Sequence, residues 1–358
     1  MNAPMTRRNR AADTPAVFDH PEFAGHEQVV QGHDAATGLK TIIAVHDTRL
    51  GPALGGCRMW SYASSGEALT DALRLSRGMT YKNALAGLDL GGGKSVIIAD
   101  PRSEKTPELL RAFGQQVERL SGTYLTAEDV GISADDMEIV AEETAHVRGT
   151  RATGLGDPSP YTALGVFVGI KAALRHRFGS DDLSGRTVCV QGLGHVGYSV
   201  AELLHEAGAR LIVADIHAPS AERAVKAFGA TAVPTEAAHA QSAEVFAPCA
   251  LGAVLNDRSI AELGAHIVAG AANNQLAEPR HGEALRDRDV LYAPDYAINA
   301  GGAISIALAR PGGDDKAVRD KVLQIAQTLT HIFQRADTLG LSTQTVADQI
   351  AEERLAGA

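Results

Sequence analysis

The chain has 358 residues. A single hydrophobic core of ordinary size does not accommodate that many, so the length predicts two domains. Its apolar content of 45% and charged content of 21% are typical of globular proteins, and a formal net charge of −10 gives it no electrostatic reason to bind nucleic acid. No run of about 18 apolar residues and no apolar signal segment occurs, so we expect a cytoplasmic protein without a membrane span.

Residue types that often hold metal ions are scattered in this sequence. The three cysteines, Cys57, Cys189 and Cys249, lie far apart and lack the spacing of metal ligands. The thirteen histidines are dispersed as well. We therefore predict reduced thiols and no metal site.

Strands and helices are predicted to alternate in the first half of the chain. Residues 39–47 form a β-branched, apolar strand, and the glycine- and proline-rich loop RLGPALGGCRMW leads into another short strand. Ser64 and Glu67 have the spacing of a capping box for the next helix. The segment GLDLGGGKSVIIAD then reads as a glycine loop before a strand over 95–99.

Two further helix starts precede the middle of the chain. Thr106 and Pro107 supply an N-cap and a first-turn proline, and Ser133 caps a helix that extends to about residue 143. Between them, a short strand at 124–126 ends in an acidic turn at 127–131.

The composition changes at RATGLGDPSPYT, a glycine- and proline-rich segment typical of a hinge. A helix begins near Ser159. Short apolar strands then recur, with helices between several of them, at 187–191, 209–215, 245–247, 267–270 and 290–292. This alternation predicts an α/β fold with a doubly wound parallel sheet, and the tail from about residue 305 is predicted to be helical.

A dinucleotide-binding motif follows the first of these strands. The sequence TVCVQGLGHVG contains G-x-G-x-x-G, whose glycines permit a tight turn, close approach of a pyrophosphate and helix–strand packing, and the helix N-terminus offers N–H groups to phosphates. The turn comprises Gly192, Gly194, His195, Val196 and Gly197. Asp215 ends the next strand, where a carboxylate accepts hydrogen bonds from ribose hydroxyls and repels a 2′-phosphate, so the predicted cofactor is NAD. The alternative is an ordinary glycine turn.

The segment GLDLGGGKSVIIAD resembles the end of a phosphate-binding loop, but Leu88 stands where that loop requires glycine, and a β-like segment follows instead of a helix. Glycines before Lys94 would let a substrate approach and leave the lysine partly desolvated, and such a lysine can act as a general base. Lys82 would suit a substrate carboxylate, and Asp129 would suit proton exchange. The alternative is that both lysines are ordinary solvated side chains.

Several long segments together resemble the amino-acid dehydrogenases of the glutamate/leucine/phenylalanine/valine family, most of all its leucine-specific branch. They include GPALGGCRMW, DALRLSRGMTYKNALAGLDLGGGKSVI, TAEDVG, QGLGHVG, AGAANNQLAEPRHG and LYAPDYAINAGGAI, and the resemblance extends from about residue 25 to the end. It implies that Lys82 binds the substrate α-carboxylate, that Lys94 activates water, and that Asp129 exchanges protons with the amino group.

The resemblance also implies roles for residues that form the walls of the site. Backbone of Gly55 and Gly56 would line the substrate site. The nicotinamide end would involve Thr162, Asn273 and Asn299. The side-chain pocket would consist of Leu54, Ala127, Ala303 and Ile306. All four are apolar, which disfavours a glutamate side chain because its charge would be buried unpaired.

The implied reaction is the reversible, NAD-dependent oxidative deamination of an apolar L-amino acid, with leucine and other branched-chain substrates favoured. Ala303 replaces a bulkier valine common in the leucine-specific branch, which keeps a phenylalanine or broad-specificity dehydrogenase open. A non-catalytic NAD-binding regulatory protein is a further alternative, although it would not need Lys82, Lys94 and Asp129 together.

The resemblance implies a homo-oligomer of subunits with two domains separated by a cleft. We predict a flexible arm at 1–20 and a substrate and oligomerisation domain at 21–150. A Rossmann-type NAD domain is predicted at 151–304, and C-terminal helices at 305–358 are predicted to pack back towards the first domain.

Overall fold

The computed structural model describes residues 16–150, 156–310 and 314–358. Most of the predicted arm, residues 1–15, and part of the predicted hinge, residues 151–155, lie outside these ranges. Within the arm, His20 is buried, and its Nε2 lies 3.0 Å from Thr70 Oγ1. In the three described ranges no helix is both long and apolar enough to cross a membrane.

The strands of the described residues form two sheets, of which the first has five strands in the order β1-β2-β4-β3-β5. These strands are β1 (Gln28–Asp34), β2 (Leu39–Asp47), β3 (Ala53–Trp60), β4 (Gly91–Ile98) and β5 (Tyr124–Ala127). Strand β2 pairs antiparallel with β1 and β4, whereas β4, β3 and β5 run parallel. The associated helices are α1 (Ser65–Leu85), α2 (Pro107–Glu118) and α3 (Ala134–Ala141).

Alternating side chains of β2 cover both faces of this sheet. Ile42 and Ala44 pack in the cluster that contains α1, and Ile43 and Val45 pack in the cluster that contains α2 and α3. Successive side chains of a strand point to opposite faces, so a continuous apolar run marks a strand buried on both sides. The predicted strand at 39–47 is therefore confirmed with its predicted ends.

Both glycine-rich segments lead into strands, as predicted, but their glycines belong to the strands and not to the loops, so the predicted extent of the loops was wrong. Gly55 and Gly56 lie inside β3, and the glycines before Lys94 begin β4. A Cβ added to Gly55 would lie 1.7 Å from the Gly93 carbonyl oxygen. The missing side chains therefore serve close approach of neighbouring backbone segments within a regular sheet, rather than a turn.

The predicted helix caps are present, with one difference. Thr106 and Ser133 accept hydrogen bonds from the first turns of α2 and α3, which confirms both N-caps. Ser64 likewise accepts from the Glu67 N–H, but the Glu67 carboxylate accepts from the Ala63 N–H. The predicted capping box at α1 is therefore incomplete. Strand β1 escaped prediction because it is mostly polar and half-exposed, which hides its β pattern.

The second sheet has the strand order β11-β10-β9-β6-β7-β8, and every pairing is parallel. Its strands are β6 (Thr187–Gln191), β7 (Arg210–Ala214), β8 (Thr231–Ala232), β9 (Ala243–Pro248), β10 (Ala265–Val268) and β11 (Leu291–Tyr292). One helix precedes these strands, others lie between them and two follow β11, which together complete a Rossmann-type fold and confirm the predicted α/β class. They are α4 (Ser159–Phe178), α5 (His195–Glu206), α6 (Ala218–Phe228), α7 (Asp257–Glu262), α8 (Arg280–Asp287), α9 (Asp295–Ile298) and α10 (Gly301–Leu308).

The strand order reverses between β6 and β9, because β7 lies on one side of β6 and β9 on the other. In doubly wound sheets, ligands bind at the carboxyl ends of the strands beside such a switch point. The sequence predicts that the helix after β6 begins at Tyr198, but it begins three residues earlier, at His195. The glycine turn is therefore shorter, and the N-terminus of α5 lies at the switch point.

The chain ends in helices that return to the first sheet. They are α11 (Asp315–Leu323), α12 (Ile325–Leu339) and α13 (Thr343–Ala356). The Arg354 guanidinium donates to the carbonyl oxygens of Ala84 at 2.6 Å and Leu88 at 2.9 Å, at the end of α1. Tyr81 Oη donates to Glu352 at 2.8 Å. These hydrogen bonds hold α13 against α1, the helix that carries Lys82.

Candidate active site

A cavity of about 550 Å³ lies between elements of the two sheets. The predicted site residues that line it are Leu54, Gly55, Gly56, Lys82, Lys94, Ala127, Asp129, Thr162, Val196, Asn273, Asn299, Ala303 and Ile306. Those that do not line it are Gly192, Gly194, His195, Gly197 and Asp215, which lie in or beside the turn at the end of β6. Val196 lies in this turn and also lines the cavity, so the turn adjoins the cavity.

Lys94 and Asp129 form an ion pair at one end of the cavity. Lys94 Nζ lies 2.5 Å from Asp129 Oδ2, and the lysine side chain is only 8% exposed. Lys94 lies on β4 and Asp129 follows β5, with β3 between them. A Cβ on Gly56 of β3 would lie 2.8 Å from Asp129 Cβ, so the glycine leaves the space in which the pair meets.

Opposing effects set the protonation of Asp129. Burial raises the pKa of this carboxyl group, but the positive charges of Lys94 and Arg58 outweigh burial and hold the pKa below its usual range. Arg58 was not predicted as a site residue. Its position was readable, because in a strand residues 56 and 58 point to the same face.

Lys82 lies in the last part of α1 and reaches across the cavity. Its Nζ donates to Asn273 Oδ1 at 3.2 Å. Burial lowers the pKa of Lys82 to about 8, while the nearby carboxylate of Asp295 acts in the opposite direction. Asp295 is a second lining residue that was missed, although it belongs to the segment LYAPDYAINAGGAI.

The side of the cavity formed by the second sheet carries amide groups. Asn299 Nδ2 donates to Asn273 Oδ1 at 2.8 Å and to the Ala271 carbonyl at 3.0 Å. Asn299 Oδ1 is buried and has no hydrogen-bond partner among the described residues. A buried acceptor without a partner costs about 1–3 kcal/mol, which favours a ligand that donates to it. Thr162 contributes a hydroxyl to the same wall.

The glycine turn has the backbone geometry of a dinucleotide site. Gly192 has φ of 95°, which disfavours other residues, and a Cβ on Gly197 would lie 1.9 Å from the Gly192 carbonyl oxygen. A Cβ on Gly194 would meet nothing within 4 Å, so this face is open. Helix α5 begins without a side-chain cap, which leaves its first N–H groups available to phosphates. These features fit NAD.

Asp215 was predicted to be the last residue of its strand but lies directly beyond β7, and it also stabilises the turn. Its Oδ2 accepts from the Leu193 N–H at 2.6 Å, and its Oδ1 accepts from the His217 N–H at 2.7 Å. Each carboxylate oxygen has a further lone pair, so these bonds leave room for ribose hydroxyls. Among the residues described, no group of three or more His, Cys, Asp or Glu side chains could hold a metal ion.

Comparison with known proteins identifies the family. Residues 26–146 match the dimerisation domain of the Glu/Leu/Phe/Val dehydrogenases, and residues 169–261 match the NAD-binding domain of D-isomer specific 2-hydroxyacid dehydrogenases. Leucine dehydrogenase from Thermoactinomyces intermedius is 50% identical over 341 residues, which cover 95% of this chain and 93% of that protein. Phenylalanine dehydrogenase from Bacillus thermotolerans is 45% identical over 358 residues, which cover 98% of this chain and 93% of that protein.

A solved structure extends this similarity to three dimensions. The crystal structure of L-tryptophan dehydrogenase from Nostoc punctiforme matches with a TM-score of 0.82 and 45% sequence identity, over 93% of this chain and 96% of that chain. Identity of this level over almost the full length confirms the resemblance predicted from the motifs. The chain therefore belongs to the Glu/Leu/Phe/Val dehydrogenase family and is an NAD-dependent amino-acid dehydrogenase.

Proposed function

We propose that this enzyme catalyses the reversible oxidative deamination of leucine and related branched-chain L-amino acids to 2-oxo acids and ammonia. The observation that carries the proposal is that Lys82, Lys94 and Asp129 line one cavity that also has an apolar part. The leucine dehydrogenases among its relatives support the choice of substrate.

Lys82 is proposed to bind the substrate α-carboxylate. Lys82 lines the cavity, and its Nζ donates to the neutral acceptor Asn273 Oδ1 at 3.2 Å, which a carboxylate would replace with an acceptor of opposite charge. Bound in this way, the substrate would have its Cα held between the two sides of the cleft. Such fixed orientation contributes much of the rate enhancement in enzymes.

The amide side of the cavity is proposed to hold the nicotinamide end of NAD. When bound, NAD accepts a hydride from the substrate Cα. Asn299, with its unpaired Oδ1, and the neighbouring Asn273 and Thr162 supply hydrogen-bonding groups at this wall. The turn at 192–197 and Asp215 are proposed to hold the pyrophosphate and the adenosine ribose.

Lys94 and Asp129 are proposed to move the protons. After hydride loss the substrate is an iminium ion, and neutral Lys94 takes a proton from the water that attacks its Cα. The proton taken up by Lys94 passes through Asp129 to the carbinolamine nitrogen. Lys94 then takes the hydroxyl proton as ammonia leaves, which gives the 2-oxo acid. Because Lys94 Nζ and Asp129 Oδ2 are 2.5 Å apart, a proton that Lys94 takes up in one step can pass to Asp129 for use in the next step.

The apolar part of the cavity is proposed to select the side chain. Leu54, Ala127, Ala303 and Ile306 are joined there by Met79. Ala303 is a small residue, and this favours phenylalanine or broad specificity as the second candidate. Single methylene-scale changes in such pockets discriminate by only about 1–3 kcal/mol.

We also propose that residues 21–150 and 151–304 are separate domains that close on the substrate, and that the enzyme is a homo-oligomer. The match of residues 26–146 to a dimerisation domain supports an oligomer. Light scattering of the purified protein would measure its mass, and a monomer at micromolar concentration would contradict this proposal.

The deciding experiment is NADH formation with leucine, valine, isoleucine and phenylalanine, each measured as kcat/KM. We expect the branched-chain substrates to exceed phenylalanine. If phenylalanine exceeds leucine more than about tenfold, which corresponds to about 1.4 kcal/mol of transition-state binding, the second candidate replaces the first.

A further inference from the structure

Arg58 connects the proposed proton-exchanging pair to a second layer of charged groups. Its Nε donates to Asp129 Oδ2 at 3.2 Å, and its Nη1 donates to Asp71 Oδ2 at 2.9 Å. Tyr62 Oη donates to the same Asp71 oxygen at 2.6 Å. With Lys94 at the other end, the five side chains form a continuous network in which each carboxylate lies between two donors.

The strand geometry explains why Arg58 reaches Asp129. Arg58 lies on β3, between the strand that carries Lys94 and the strand that precedes Asp129. It is two residues beyond Gly56 and therefore on the same face. Both Lys94 and Arg58 bind Oδ2, so neither of these bonds occupies Oδ1 of the carboxylate.

We propose that Arg58 is a positioning residue that keeps Asp129 ionised and in place while Lys94 exchanges its proton, and that Asp71 and Tyr62 hold Arg58 in position. This inference rests on the roles proposed above for Lys94 and Asp129. When Lys94 loses its proton, Asp129 loses one of two cationic partners. A largely buried carboxylate without a counter-charge is unfavourable, so without Arg58 the pair would retain its proton.

Other charged groups near the pair must remain constant in any test. Lys82 on α1 and Glu128 beside Asp129 are two further charged side chains that act on it. The neighbouring hydroxyl and thiol groups are neutral, because burial raises the pKa of Tyr124 and raises that of Cys57 to about 12. The hydroxyl of Tyr62 is neutral for the same reason. A substitution at Arg58 or Asp71 therefore changes the charge of the network at that residue alone.

The test measures proton loss from the pair without turnover. Acetylation of Lys94 by acetic anhydride in the full-length enzyme, followed by mass spectrometry across pH, gives a labelling midpoint. Arg58→Gln should raise this midpoint by about one pH unit, since an adjacent cation shifts a coupled acid by about that amount or more. At a fixed pH below the midpoint, the kcat of Arg58→Gln should be about tenfold lower than that of the parent enzyme, while its KM for leucine changes little.

Two further variants separate charge from packing. Arg58→Lys retains the charge and should return the midpoint close to the wild-type value. Asp71→Asn leaves an amide oxygen that can still accept the hydrogen bond from Arg58 and hold it in place, but removes the negative charge, so it should lower the midpoint, the opposite direction from Arg58→Gln. Arg111→Gln is the matched control, because Arg111 forms an ion pair with Glu142 at 2.7 Å outside the cavity, and it should leave the midpoint unchanged.

Equal shifts in Arg58→Gln and Arg58→Lys would overturn the proposal, as would a shift of Asp71→Asn in the same direction as Arg58→Gln. If Arg58→Gln does not fold, the sign of the Asp71→Asn shift decides alone. Failure of the proposed function has a different signature. Normal turnover of Lys94→Ala would disprove the catalytic roles, whereas the labelling midpoints of the other variants would still report on the network.

Discussion

The first sheet and the glycine turn of the second sheet are both rich in glycine, yet they use it for different purposes. In β3 and β4, glycines let backbone segments approach each other closely, since a Cβ added at Gly55 would lie only 1.7 Å from the Gly93 carbonyl oxygen. At the end of β6, Gly192 provides a positive φ and Gly194 leaves a face open. Glycine content therefore does not distinguish a loop from a strand.

The comparison also separates the proposed catalytic pair from the proposed cofactor site. The clearance in the first sheet lets Lys94 contact Asp129 across an intervening strand. The clearance at 192–197 exposes N–H groups at a helix start. Variants in the first sheet should thus affect turnover or folding, and variants in the turn at 192–197 should affect NAD affinity.

The largest expected effect is on turnover, from Lys94→Ala. Removing a general base typically costs about 10²–10⁴-fold, and we expect a loss of kcat of about 10³-fold with the Kd for NAD unchanged. Stopped-flow turnover and NADH fluorescence titration measure the two quantities. Lys40→Ala is the control, because Lys40 is exposed on β2. Near-normal turnover of Lys94→Ala would contradict the mechanism.

The next effect concerns the packing of the first sheet. Gly55→Ala should reduce the free energy of unfolding by about 3 kcal/mol, because overpacking forces the paired strands apart. Chemical denaturation monitored by circular dichroism provides the measurement. A variant as stable as the parent protein would mean that β3 and β4 are not held as closely as described.

The corresponding change in the second region is Gly194→Ala. Because an added Cβ meets no protein atom within 4 Å, we expect unchanged stability. The Kd for NAD should nevertheless rise about tenfold, equivalent to about 1.4 kcal/mol, because the methyl group would occupy the face that the pyrophosphate approaches. Isothermal titration calorimetry would measure this Kd, and an unchanged value would mean that the pyrophosphate binds elsewhere.

The smallest effect is a difference in pH dependence. The pKa of Lys82 is lowered to about 8, so its charge is present below that pH and is lost above it. The KM for leucine should therefore rise as pH increases beyond about 8, whereas backbone N–H groups at the turn do not titrate and the Kd for NAD should stay level. Lys82→Met should have a high KM with little change across this interval. A KM that falls above pH 8 in the parent enzyme would exclude Lys82 as the carboxylate ligand.

The sequence predicted the elements whose signals are local. Helix caps at Thr106 and Ser133 depend on residues within one turn, and the strands of the second sheet are short apolar runs between helices. The ends of β6, β7, β9, β10 and β11 lay within two residues of those predicted, whereas the two-residue strand β8 was not predicted. Strand β1 was missed because its half-exposed, polar residues bury too little apolar surface to show a pattern.

By itself, the sequence determined the doubly wound sheet, the dinucleotide turn and, through its family resemblance, most of the residues that line the cavity. Tertiary structure decided that Gly55 and Gly56 lie in a strand, that Lys94 contacts Asp129, and that Arg58 joins them. The physical reason is range. Local periodicity and turn chemistry are written in adjacent residues, whereas a contact across β3 depends on strand order, and strand order is fixed only when the whole sheet assembles.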